Sequence, residues 1–354
     1  MSTAKNILFI ILERHLIWAI LAVLFLAGIA VPGFLSVRNI LNVMWAAAPL
    51  GCMVLGLFFV VLTANVDLSL ESTFALAPTL AVVLCFQWLP LTDWPVIAVI
   101  VTLLAGAGIG LLNGLFSVKL RVNAFLVTLG SLLLMRGIVV YLIPEGVYYL
   151  PDAYVYLGSA KLFGILPVAV LVWIAVFVMG WLLIDYHRLG KDILALGNNE
   201  KAAFIAGVSI DRTKILCFVI AGTLAALGGL LEVGRLQSVV ADMGQGDILM
   251  VFAGTILGGS ALTGGKGNVG GIFAAVLVIS IIENLMNLFG VPPSIRQVVF
   301  GAVMLLAIYL ASLQERLRHI IGSHLALQQI AGHIILLAQA ACLRTFLDEV
   351  VGQK

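Results

Sequence analysis

Long apolar runs broken only by short polar turns constrain this chain more than anything else in it. A membrane-crossing helix needs about 20 mostly apolar residues. Ten stretches come close to that length: roughly 16–31, 46–64, 72–90, 94–116, 124–143, 164–184, 214–231, 247–262, 269–289 and 296–312. The breaks carry turn chemistry. "VPGF" closes the first stretch, "IPEG" the fifth, and "VPPS" separates the last two. Of the 354 residues, 62% are hydrophobic and 10% charged, where a soluble domain carries roughly 25% charged residues. A membrane barrel alternates polar and apolar positions, and these runs do not. The expected fold is an all-α polytopic membrane protein of about ten transmembrane helices.

Several function classes drop out. A formal charge of +2 gives no reason to expect nucleic acid as a partner. Cys52, Cys85, Cys217 and Cys342 are scattered, without a CxxC pair or a histidine at metal spacing, and read as lone thiols. His15 and His187 are isolated. No Ser/His/Asp set and no pair of catalytic carboxylates is present, so no covalent chemistry is assigned. "SALTGGKGN" has a phosphate-loop look, but Ser260 stands where that loop needs its first glycine and Gly267 where it needs Ser or Thr.

Lys5 and Arg14 precede the first apolar run, which is long for a signal peptide and is followed by many more; it reads as a retained first helix. With the N-terminus on the cytoplasmic side, inner segments hold fourteen of the nineteen Lys and Arg and outer segments four, while Arg136 lies inside a span. That bias favours this orientation. Ten spans divide into two five-helix halves of opposite orientation. "LLNGLFSVKLRVNAFLVTLGS" and "IIENLMNLFGVPPSIRQVVFGA" align at an offset of 171, which matches Asn113 with Asn284 and Gly130 with Gly301. Gly106, Gly110 and Gly114 share one helix face, as do Gly254 and Gly258, and small residues at this spacing suit close helix packing. The transmembrane domain covers 1–318, with a cytoplasmic loop at 185–214. The tail, 319–354, lacks charge from His319 to Leu343 and fits an interfacial helix better than an eleventh span.

The stretch "GKDILALGNNEKAAFIAGVSIDRTK", from Gly190 to Lys214, is polar in an otherwise greasy chain. Asn199 can cap a helix starting at Glu200, whose charge suits the helix N-terminus. Gly207 suits the left-handed residue that ends it. Ala202, Ala203 and Ala206 give it a small-residue face. Either this is a solvated loop, or it is a knob that fits a cytoplasmic partner.

The same stretch resembles the cytoplasmic loop of ABC importer permeases of the ribose type, through Gly190, Ala195, Gly197, Asn199, Ala202, Ala203 and Gly207. Lys191 and Asn198 depart from that pattern. "ANVDLSLEST", "VNAFLVTLGSLLLMRG" and "LGGSALTGGKGNVGG" resemble further family motifs, in the right order over about residues 7–316. Glu71 stands where the family usually has Gly, Glu283 where an Asn-Gly pair is commoner nearby, and the tail matches nothing in the family pattern. The resemblance implies an inner-membrane permease subunit that imports a sugar, polyol or related small polar solute and works as a homo- or heterodimer in the lipid. It implies ATP-binding cassette subunits, which carry the ATP and Mg²⁺, on the cytoplasmic side, and a periplasmic or extracellular solute-binding protein outside. It implies that Gly190, Asn199, Glu200, Lys201, Ala202, Ala203 and Gly207 meet the ATPase subunits.

Charges inside the spans need partners or water. Arg136 and Glu283 lie at similar depth in two helices of the same direction, so they either pair or both face the path. Asp67 and Ser69 either cap the third span or belong to a re-entrant segment. Asn113 and Asn284 either tie helices together or bind solute hydroxyls. An ion-gradient-coupled transporter that uses Glu283, or a non-transporting scaffold, are the competing functions.

Overall fold

The computed structural model describes residues 16–89, 94–292 and, between 295 and 309, all but 297, 304, 307 and 308. The tail at 319–354, Cys342, part of the tenth candidate span and the charges before the first span lie outside the described residues. The compact unit described here runs to Ile308.

The chain is all-α and multi-pass. Its continuously described helices begin with α1 (Leu16–Ile29), α2 (Val37–Leu62), α3 (Leu70–Val82, continued by a π turn to Trp88), α4 (Pro95–Gly114, continued to Lys119) and α5 (Ala124–Leu142). After them come α6 (Asp152–Ser159), α7 (Val168–Asp185), α8 (Arg188–Asn198), α9 (Glu200–Ile205), α10 (Ile210–Leu236), α11 (Asp247–Leu257) and α12 (Val269–Leu288). Seven of these, α2, α3, α4, α5, α7, α10 and α12, are long and apolar enough to cross a membrane. Two-residue strands make two small antiparallel pairs, β1 (Val147–Tyr148) with β4 (Ser238–Val239) and β2 (Lys161–Leu162) with β3 (Leu166–Pro167).

Two boundaries differ from the sequence reading. The second span starts at Val37 and not near 46, with Ser36 as its cap. Arg38, Asn39 and Asn42 look like loop, but the helix runs through them: Asn39 bonds to Phe34 O and Asn284, and Arg38 and Asn42 are exposed. The eighth candidate span, 247–262, contains a helix of only 11 residues. That is about 16 Å at 1.5 Å per residue, half of a roughly 30 Å hydrocarbon core. Gly258, Gly259, Gly264 and Gly265 end it in an irregular loop.

α2 is the central post. From Ala47 to Leu62 every residue is buried, against α7, α10, α11 and α12. A helix apolar on all sides belongs in such a place. The glycine ladder works as its spacing indicates. A Cβ on Gly106 would strike Gly222 and Ala226 of α10, one on Gly110 would strike Phe218, and one on Gly114 would press on Ile215. Gly254 packs on Val54 and Gly258 on Ile272. Backbones in contact maximise dispersion where lipid offers no hydrophobic drive.

The helix ends define two faces. One carries the α8–α9 hairpin, the end of α2, the loop 258–268 and the starts of α5 and α10. The other carries the small strands, α6 and the end of α12.

Candidate functional site

Between α2 and α3, residues 65–68 form an irregular connection that contains Asp67. One carboxylate oxygen of Asp67 accepts from the Ser69 N–H (2.9 Å) and from the Ser69 hydroxyl (2.6 Å). Asn113 of α4 donates its amide to Ser69 Oγ (2.8 Å), and Ser131 of α5 donates to Asn113 Oδ1 (2.6 Å). The relay ties the start of α3 to α4 and α5, so Asn113 is a helix tie. Ser69 sits at the N-cap position of α3 but makes no side-chain cap bond; its hydroxyl serves the relay instead.

One turn further, Glu71 meets Arg136. The guanidinium lies 3.2 Å from Glu71 Oε1, with both side chains largely buried. Arg136 also donates to the carbonyls of Ala241 (2.9 Å) and Met243 (3.0 Å). The second Glu71 oxygen accepts from the Ile248 N–H (3.4 Å), at the start of α11. Residues 240–246, which are not helical, are thus brought to a point about 18 Å along α5, counting 1.5 Å per residue from Ala124. Irregular backbone at membrane depth needs its polar groups satisfied by protein. Here one arginine fills two carbonyls and one glutamate neutralises the arginine.

The expected Arg136–Glu283 pair does not form. Equal depth on two helices says nothing about which way each side chain points, and α5 points Arg136 at α3. Glu283 instead shares a cavity with Arg235, whose guanidinium is already held by Glu232 (2.6 and 2.9 Å). Asn284 exchanges two amide hydrogen bonds with Asn39 of α2, each 2.9 Å. It too is a helix tie.

The α8–α9 hairpin is held from below. His187 Nδ1 accepts from the Leu189 N–H and caps α8. Ile193 and Leu196 are buried beneath it. Asn198 donates to the carbonyls of Leu194 (2.8 Å) and Gly265 (2.9 Å), and the Gly265 N–H donates to Leu62 O (2.9 Å). The hairpin, the loop 258–268 and the end of α2 are therefore one connected piece. Asn199 caps α9 by accepting from the Ala202 N–H (3.0 Å), Glu200 pairs with Lys214 (2.8 Å), and Gly207 adopts φ +83°.

Two residues leave the expected contact face. Gly190 is buried against the carbonyls of Leu183 and Ile184, and Ala203 is buried as well. Lys201, Ala202, Ala206 and Gly207 are exposed. So are Phe204 (70%) and Ile205 (85%), which the alanine pattern overlooked. Their signal was present in the sequence as two bulky apolar residues inside a polar stretch.

The family described as branched-chain amino acid transport system / permease component matches residues 39–308. This chain belongs to that permease family. The permease is 32% identical to the ribose import permease protein of Escherichia coli K12 over 84% of this chain and 93% of that protein. It is 33% identical to the ribose import permease protein of Bacillus subtilis 168, over 79% of this chain and 86% of that one. The L-arabinose transport system permease protein of E. coli K12 is 32% identical over 84% of the permease and 89% of its own length. No solved structure matches it.

Proposed function

We propose that this permease is the membrane-spanning subunit of an ATP-driven importer for a pentose or a related polyhydroxylated solute, in a bacterial inner membrane. The observation that carries this reading is the identity to ribose and arabinose permeases along nearly the whole of those proteins. The α8–α9 hairpin then faces the cytoplasm and receives an ATPase subunit through Asn199, Glu200, Lys201, Ala202, Phe204, Ile205 and Gly207. A groove of about 830 Å³ beside it, lined by Lys119, Arg121, Phe204, Ile210 and Arg212 among others, can seat part of that partner. ATP and Mg²⁺ are held by the partner, a solute-binding protein delivers the cargo from outside, and a second permease copy completes the path. Because the hairpin is bonded to the loop before α12, and that loop to the end of α2, a push on α9 reaches the central post through Gly265.

The test is uptake into proteoliposomes that hold the permease and its ATPase subunits, with the binding protein supplied. ATP-dependent import of D-ribose or L-arabinose is expected. Import that ignores ATP and collapses with an ionophore would show the ion-coupled alternative instead.

A further inference from the structure

Opposite the hairpin, α2, α10 and α12 line a half-open cavity of about 380 Å³ bordered by Asn42, Trp45, Arg235, Ser280, Glu283 and Asn287, among others. Its size falls in the range of small-molecule sites, roughly 300–1,000 Å³. Its lining is unlike the apolar core around it. Ser280 Oγ is buried and has no hydrogen-bond partner among the described residues. Among the same residues, the half-buried Glu283 carboxylate and the side-chain amides of Asn42 and Asn287, which lie exposed at the rim, make no hydrogen bond to protein, whereas Asn284 and Arg235 are committed to Asn39 and Glu232. Trp45 is held in place: its indole N–H donates to Gly158 O (2.8 Å), and Lys161 Nζ lies 4.8 Å from its ring centroid.

An unfilled buried hydroxyl costs free energy unless something occupies the space before it. The mixture of groups says what that occupant is. Arg235 is neutralised by Glu232, so the charge left over among these lining residues is the Glu283 carboxylate, which opposes an anion. A neutral polyol suits this lining, because each hydroxyl can donate to the carboxylate or an amide oxygen and accept from an amide N–H. The structure assigns this cavity as a subsite for a polyhydroxylated solute, with Ser280, Glu283, Asn42 and Asn287 as the hydroxyl-binding groups and Trp45 as an apolar wall. The assignment rests on the importer reading above and goes beyond it by naming the place.

The test uses the assembled transporter and a panel of labelled pentoses, hexoses and polyols. If the native complex imports a member of the panel, Glu283→Gln and Asn287→Leu are expected to lower its uptake per assembled complex at least tenfold. Uptake within twofold of native in both variants overturns the subsite and leaves the importer reading intact. A native complex that imports no member of the panel overturns the importer reading and the subsite with it. Should either variant fail to assemble, Ser280→Cys is labelled with a small charged methanethiosulfonate. The transported solute is expected to slow labelling at least threefold, and an unchanged rate overturns the assignment.

Discussion

Arg136 makes one ion pair and two carbonyl contacts, and losing it strands three partners at once. Arg136→Met is expected to destabilise the detergent-solubilised protein by about 3–5 kcal/mol, since removing one member of a buried pair leaves an uncompensated charge. Thermal unfolding of native and variant protein checks this. The double variant Glu71→Met/Arg136→Met removes the stranded charge but not the loss of two carbonyl partners, each worth about 1–3 kcal/mol when buried. It should therefore recover only part of the stability. Coupling between Arg136→Ala and Glu283→Ala should be near zero, because the two side chains bind different partners. Glu71 shows where sequence reading stopped. Hydropathy located Arg136 inside the membrane, but Glu71 looked like the edge of a span. Only the fold shows that α3 begins deep enough in the bundle for its first turn to meet the middle of α5.

Among the elements, α9 was the most legible. Its cap Asn199 and its terminating Gly207 follow from side-chain chemistry and backbone sterics, both local in sequence, and the structure has both. Its facing was not legible, because which side of a two-turn helix is buried depends on what lies beneath it. Ala203 packs inward, so Ala203→Glu would test folding and not partner binding. Ile205→Asp tests the partner. Exposed and free of hydrogen-bonding duties, this position should change stability by no more than about 0.5 kcal/mol. Co-purification with the ATPase subunit and solute-stimulated ATP hydrolysis should both fall at least tenfold. Gly207→Ala makes a complementary case. A Cβ at φ +83° costs about 1–2 kcal/mol, and the loss should appear as a looser α9, read as faster amide exchange over residues 200–206. The half-length α11 was least legible. Periodicity joined it to the glycine loop after it as one span, since glycine is common in membrane helices and only the four positive-φ or non-helical glycines reveal the break.

For the molecule as a whole, apolar length and charge bias carried the sequence reading, and helix-to-helix pairing had to wait for coordinates. Glycine spacing marked α4 as tightly packed, and the structure supplied α10 as the surface it packs on. The two faces of the bundle are chemically distinct. Lys119, Arg121, Arg188, Lys191, Lys201, Arg212, Lys214 and Lys266 lie with the hairpin, while Arg38, Lys161, Arg235 and Arg296 lie at the other end. The positive-inside tendency favours the hairpin face as the cytoplasmic one, the orientation proposed above. Position 204 on that face and position 149 on the other are both highly exposed, and Cys52, Cys85 and Cys217 are buried, so a single engineered thiol reports cleanly once Cys342 is replaced. In intact cells a membrane-impermeant maleimide should label Tyr149→Cys and leave Phe204→Cys untouched until the membrane is opened. The reverse pattern would place the hairpin outside, where no nucleotide could reach a partner bound to it, and a motor acting through α9 would be excluded.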